Sequence, residues 1–139
     1  MKLISKNLLI FSGILFFLTV VFRYFLSSML QNHLFNEAWM LSIIYGIIVF
    51  ISGWIFGKKD KWHLPLYDIG FRFHLATYLI CNSLAEIWHI AGFQSQYEKI
   101  KVVHITAIVW GIFLLIHFIL YLLTRKNAIE GIKKTEIFE

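Results

Sequence analysis

Four long apolar runs organise the chain, over 8–30, 39–57, 71–93 and 102–124, each bounded by charged or turn-forming residues. A helix rising 1.5 Å per residue needs about 20 apolar residues to cross a hydrocarbon core about 30 Å thick, and each run has roughly that length. Four such runs among 139 residues cannot all be covered by polar surface in a water-soluble core. The pattern therefore predicts an all-α, polytopic membrane protein: four transmembrane helices in an antiparallel bundle, forming a single membrane domain over 1–139. The first run follows Lys2 and Lys6 as a signal peptide would, but no small-residue cleavage pattern closes it and it continues through Arg23, so a retained helix is expected. The stretch 125–139, with alternating charge, reads as a short cytoplasmic tail.

Composition narrows the class. Hydrophobic residues make up 59% and charged residues 15% of the chain, against about 25% charged in ordinary soluble domains. One Cys and one Pro exclude a disulfide framework, a Cys-based zinc finger and a proline-rich chain. Lys and Arg are distributed unevenly. Lys2 and Lys6 precede the first run, Lys58, Lys59, Lys61 and Arg72 separate the second from the third, and Arg125, Lys126, Lys133 and Lys134 follow the fourth. The segment 31–38 has none, and 94–101 has only Lys99 and Lys101. By the positive-inside rule both termini are cytoplasmic. The net charge of +5 then belongs beside anionic lipid, and no nucleic-acid partner is expected. Trp39, Trp54, Trp62, Tyr67 and Tyr97 lie near run ends, as an aromatic belt does. Ser42, Gly46, Gly53 and Gly57 form two small-xxx-small pairs, a face that allows close approach of another helix of this chain or of a second copy.

Ionisable residues at membrane depth are costly and usually find partners inside a bundle. Arg23, His74, Glu86, His89, His104 and His117 are such residues here. Arg23 and Glu86 stand equally far from the outer ends of their runs, so depth alone predicts an Arg23–Glu86 ion pair, unless Arg23 reaches out to the headgroups. His74, Tyr78, Asn82, Ala85 and His89 recur at steps of three and four, one stripe of the third helix, read as an inward face. Antiparallel third and fourth helices bring His74 beside His117 and His89 beside His104. Facing imidazoles of this kind can ligate b-type haem. Two haems are disfavoured by angle: at about 100° per residue His104 and His117 differ by a residual of about 220° and point different ways. A single haem b at His74 and His117 survives as the cofactor alternative, with no metal or cofactor as the simpler expectation. Cys81 reads as a small packing residue.

The segment FRFHLATY over 71–78, Asn82, and WGIFLLIH over 110–117 resemble the bacterial 2TM domain, a helical hairpin. The resemblance covers about 69–123, rests on His74, Tyr78, Asn82, Trp110, Gly111 and His117, and leaves the first two runs outside it. The connection 95–101 lacks the tryptophan-rich run expected of that family. The resemblance implies a membrane module found alone or ahead of sensor kinases, without an established activity. No catalytic signature such as H-E-x-x-H, G-x-S-x-G or a phosphate-binding glycine loop occurs. The expected function is a noncatalytic integral membrane protein of the bacterial cytoplasmic membrane, a structural or signalling partner, possible as a homodimer. A haem-binding electron-transfer or haem-sensing protein is the alternative, and an oligomeric transporter or channel using Arg23, Glu86 and His89 is the third reading.

Overall fold

The computed structural model describes residues 5–60 and 66–130, with side chains over 5–60 and 69–123. It is all-helical, with α1 (Lys6–Gln31), α2 (Phe35–Asp60), α3 (Leu66–Ile90) and α4 (Ile100–Glu130). The first, second and fourth runs fall inside one helix each, the third ends three residues past α3, and α4 continues past the fourth run into the expected tail. Trp62, Tyr67 and the lysines at 61, 133 and 134 lie outside the residues whose side chains are described.

The helix ends follow local chemistry. Ser5 caps α1, its Oγ accepting from the Leu8 amide at 3.0 Å. Both α1 and α3 stop in the same way, with a left-handed residue followed by a bond back across the last turn. At α1 the left-handed residue is His33 (φ 61°), and the Leu34 amide reaches Met29 O at 2.9 Å. At α3 it is Gly92 (φ 74°), and the Phe93 amide reaches Trp88 O at 3.1 Å. Gly92 takes this conformation at no steric cost. His33 does not, and its ring is held by the Tyr97 hydroxyl at 3.1 Å from Nε2.

α1, α2 and α3 pack on one another, while α4 packs on α3 alone among the described residues. The four helices thus form no closed ring of neighbours, and a cleft separates α2 from α4. The interior face of α1 is a strict four-residue stripe: Phe11, Leu15, Thr19, Arg23 and Ser27 are its buried residues. Phe11 and Leu15 form an apolar core with Ile69 and Phe73 of α3. The Phe11 and Phe73 rings lie 4.9 Å apart between centroids.

By length and composition α1, α2 and the Ile100–Leu123 part of α4 can cross a membrane. The third run behaves differently. Among the described residues α3 does not reach that length and apolarity, so three of the four expected spans meet the criterion, and α3 is the only helix that touches all three others. His74, Tyr78 and Cys81 of α3 turn to neighbouring helices, as polar groups among apolar helices usually do.

The small-residue face of α2 is used within the chain at two of its positions. A Cβ on Gly53 would lie 3.7 Å from the Phe11 ring, and one on Gly57 would lie 3.3 Å from Ile69 Cγ2, whereas Gly46 has nothing within 4 Å. Gly57→Leu is therefore expected to lose about 1–3 kcal/mol of stability through overpacking. Gly46→Ala should change the unfolding midpoint in detergent micelles by far less. Equal effects at the two positions would contradict this packing.

Candidate functional site

Among the described residues buried polar side chains meet in four places. At one end Asp60, which is 5% exposed, accepts from Ser5 Oγ and from Asn7 Nδ2 at 2.6 Å. A carboxylate closing α2 opposes that helix's own dipole, but here it sits against the amino terminus of α1, where negative charge is favoured. Midway along α1, Thr19 Oγ1 donates to Leu15 O at 2.6 Å and lies 2.8 Å from the Tyr45 hydroxyl. That hydroxyl is 3.2 Å from Cys81 Sγ. The cysteine expected only to pack is thus one corner of a polar contact joining α1, α2 and α3.

The third cluster corrects an expectation. Arg23 does not pair with Glu86. Its Nη2 bonds Glu98 Oε2 at 2.6 Å, with the two side chains only 10% and 7% exposed. Glu98 also accepts from Ser27 Oγ, and Ser27 receives the Trp88 indole N–H at 2.9 Å. Gln31 Oε1 accepts from Ser95 Oγ at 3.1 Å and from the Gln96 amide at 3.2 Å. Equal depth put Arg23 level with Glu86 but said nothing about direction. The connection between α3 and α4 folds over the end of α1 and delivers a carboxylate from outside any apolar run. Glu86 instead bonds His104 Nε2 at 3.0 Å, a pair far more open, at 37% and 56% exposure. The expected approach of His89 to His104 is likewise replaced, for His89 Nδ1 turns to Ala85 O at 2.9 Å in its own helix.

The fourth cluster joins α3 to α4, and it brings His74 and His117 together as antiparallel packing predicts. Their Nδ1 atoms lie 3.2 Å apart. The Trp110 indole N–H donates to His74 Nε2 at 2.6 Å. Tyr78 donates to Ala107 O at 3.3 Å, its hydroxyl seated 3.2 Å from where a Cβ on Gly111 would be. Phe71 stacks on Tyr121 with centroids 5.4 Å apart. The stripe read as inward is therefore more selective: His74 and Tyr78 face α4, whereas Ile69, Phe73, Cys81 and Trp88 face α1 and α2. Asn82 donates to Tyr78 O at 2.8 Å within α3.

Donor and acceptor roles in this cluster follow from one residue. An indole N–H can only donate, so His74 Nε2 carries the lone pair. With both rings neutral, the His74 proton sits on Nδ1 and is given to His117 Nδ1, which leaves the His117 proton on Nε2. The result is a one-way chain, Trp110 to His74 to His117. A bis-imidazole haem does not fit it. Both His74 nitrogens are taken, and the rings touch edge to edge where a porphyrin and its iron would have to lie. Among the described residues no group of three His, Cys, Asp or Glu side chains converges on a metal position.

Beside the histidine pair the cleft between α2 and α4 opens to about 670 Å³. A further space of about 440 Å³ continues it, since Gly46, Val49 and Thr77 border both. Comparisons with family models, with curated proteins and with solved structures give no match to this chain.

Removing one partner of a buried ion pair strands the other, so Glu98→Gln should cost about 3–5 kcal/mol. Glu86→Gln on the open pair should cost less than about 1 kcal/mol. Denaturant unfolding of both variants in micelles measures the contrast.

Proposed function

We propose that this chain is a noncatalytic integral membrane protein of the bacterial cytoplasmic membrane, crossing four times with both termini inside and acting as a structural or signalling partner. One observation carries the reading. Among the described residues most polar side chains between the helices bond one another, as interhelix contacts at the ends, at mid-height and between α3 and α4. A transport path would instead need such groups left free to face water, and an acid–base or nucleophilic site would need them free to face a substrate.

The resemblance to the bacterial 2TM domain fits this reading. Of the six residues on which it rests, His74, Tyr78, Trp110, Gly111 and His117 meet at a single contact between α3 and α4, while Asn82 bonds within α3. We take the α3–α4 hairpin as the module and α1–α2 as a second hairpin clamped to it by Arg23 and Glu98. The homodimer arrangement is moved away from Gly53 and Gly57, which the chain itself covers. The broad apolar surface of α4, including Ile108, Phe113 and Leu115, is the face left for a membrane partner.

Two measurements test the proposal. Reporter fusions should show activity typical of the cytoplasm at both termini, and typical of the outside when inserted after Asn32 or Gln96; a terminus outside overturns the topology. Protein purified in mild detergent from haem-supplied cells should show no Soret band, oxidised or reduced. A stoichiometric band lost in His117→Ala would overturn the noncatalytic reading in favour of an electron-transfer or haem-sensing protein.

A further inference from the structure

The cleft between α2 and α4 has a polar end and an apolar lane, and their relative heights identify what fits there. Gly57 meets Ile69, and the neighbouring Gly70 lies against the His117 ring, its Cβ position 3.5 Å from Nε2. Gly57, Gly70 and His117 therefore stand at one level, which is where the apolar run of α2 ends and Lys58 begins. Lys58 and His117 both border the cleft. An exposed ammonium group and an imidazole N–H donor thus share the level of a membrane interface, and among the described residues no partner takes the His117 Nε2–H. His117 is half-buried, so its Nε2–H and the Lys58 ammonium form a pair of donors open to the cleft, suited to an occupant with acceptors at that height.

Below that level the walls turn apolar. Gly53, Phe50, Val49 and Gly46 line the α2 side. At Gly46 the absence of a side chain leaves open space and gives the lane its depth. From Gly57 to Gly46 the lane runs about 16 Å along the helix axis, close to half of the hydrocarbon core of about 30 Å. It has the reach of one leaflet.

We propose that this cleft holds one anionic glycerophospholipid from the leaflet on the Lys58 side. Its phosphate lies at Lys58, an ester carbonyl oxygen accepts from His117 Nε2–H, and an acyl chain lies along Phe50, Val49 and Gly46. The Trp110–His74–His117 chain fixes which imidazole nitrogen bears the proton and so makes His117 a donor to the lipid. This site rests on the membrane reading above.

The test is native mass spectrometry of the full chain in detergent, titrated with phosphatidylglycerol, phosphatidylcholine and a diether phosphatidylglycerol that lacks ester carbonyls. One phosphatidylglycerol should bind per chain about fivefold more tightly than phosphatidylcholine, the preference one Lys gives at an anionic surface. Lys58→Gln, a surface change that leaves the packing intact, should remove the preference by weakening phosphatidylglycerol more than phosphatidylcholine. Gly46→Leu places a side chain in open space and should lower the affinity for both lipids tenfold or more, with an unchanged melting temperature in lipid-free micelles. The diether lipid should bind several-fold more weakly than the diester. Equal affinity for the two headgroups, or lipid retained by Gly46→Leu, overturns the site, and an equally tight diether lipid overturns the His117 contact. A dimer that Gly46→Leu dissociates assigns the cleft to a second copy and also overturns it. A chain washed from membranes by alkaline carbonate fails the membrane reading itself, whereas one that stays but shows no headgroup preference fails only the lipid site.

Discussion

A guanidinium and a carboxylate withdrawn from water have to find each other, and the Arg23–Glu98 contact is where that requirement fastens this molecule together. Arg23 belongs to the buried stripe of α1, and Glu98 belongs to the connection that leads from α3 into α4. Their pairing therefore fixes the height of α1 against α3 and the path by which α4 begins. Ser27, Trp88, Gln31 and Ser95 bond around the pair. Each of these contacts holds only if the one beside it is in register. The Asp60 contacts with Ser5 and Asn7 do the same at the opposite end, so α1 is pinned at both ends with the Thr19–Tyr45–Cys81 contact between them.

The division of labour among the helices follows from what surrounds each one. α2 and α4 present broad apolar surfaces, with Phe50, Trp54, Ile108 and Phe113 all exposed in the isolated chain. α3 is packed on three sides. One face of it, through Ile69, Phe73 and Cys81, belongs to α1 and α2; another, through His74 and Tyr78, belongs to α4. Because α4 packs on α3 alone among the described residues, the cleft between α2 and α4 is a direct consequence of this branching. The histidine pair lies at its edge, which is why a group that holds two helices together also offers a donor to an occupant.

Glycine has three different uses in this arrangement. Gly92 ends α3 with a left-handed backbone. Gly57 and Gly111 let Ile69 and the Tyr78 hydroxyl approach a helix that a side chain would keep away. Gly46 touches nothing, and its use is the space it leaves.

The sequence by itself determined the number of helices and the all-helical class, because long apolar runs are a property of consecutive residues and survive any packing. It also determined that His74 and His117 meet, since a short connection makes α3 and α4 antiparallel and the two residues then fall at one height. It did not determine which partner Arg23 takes. Height along a helix is legible from spacing, but the direction a side chain points depends on which neighbours surround the helix, and Glu98 lies in a connection that hydropathy passes over. For the same reason Asp60, Ser5, Thr19 and Cys81 carried no signal as partners: each is ordinary in its local context and acquires its role only when α1 lies across α2 and α3. The tertiary structure alone decided that α4 packs on one helix, that His74 has no free nitrogen, and that a cleft runs beside His117. All three depend on angles between helices, which contacts distant in the chain set.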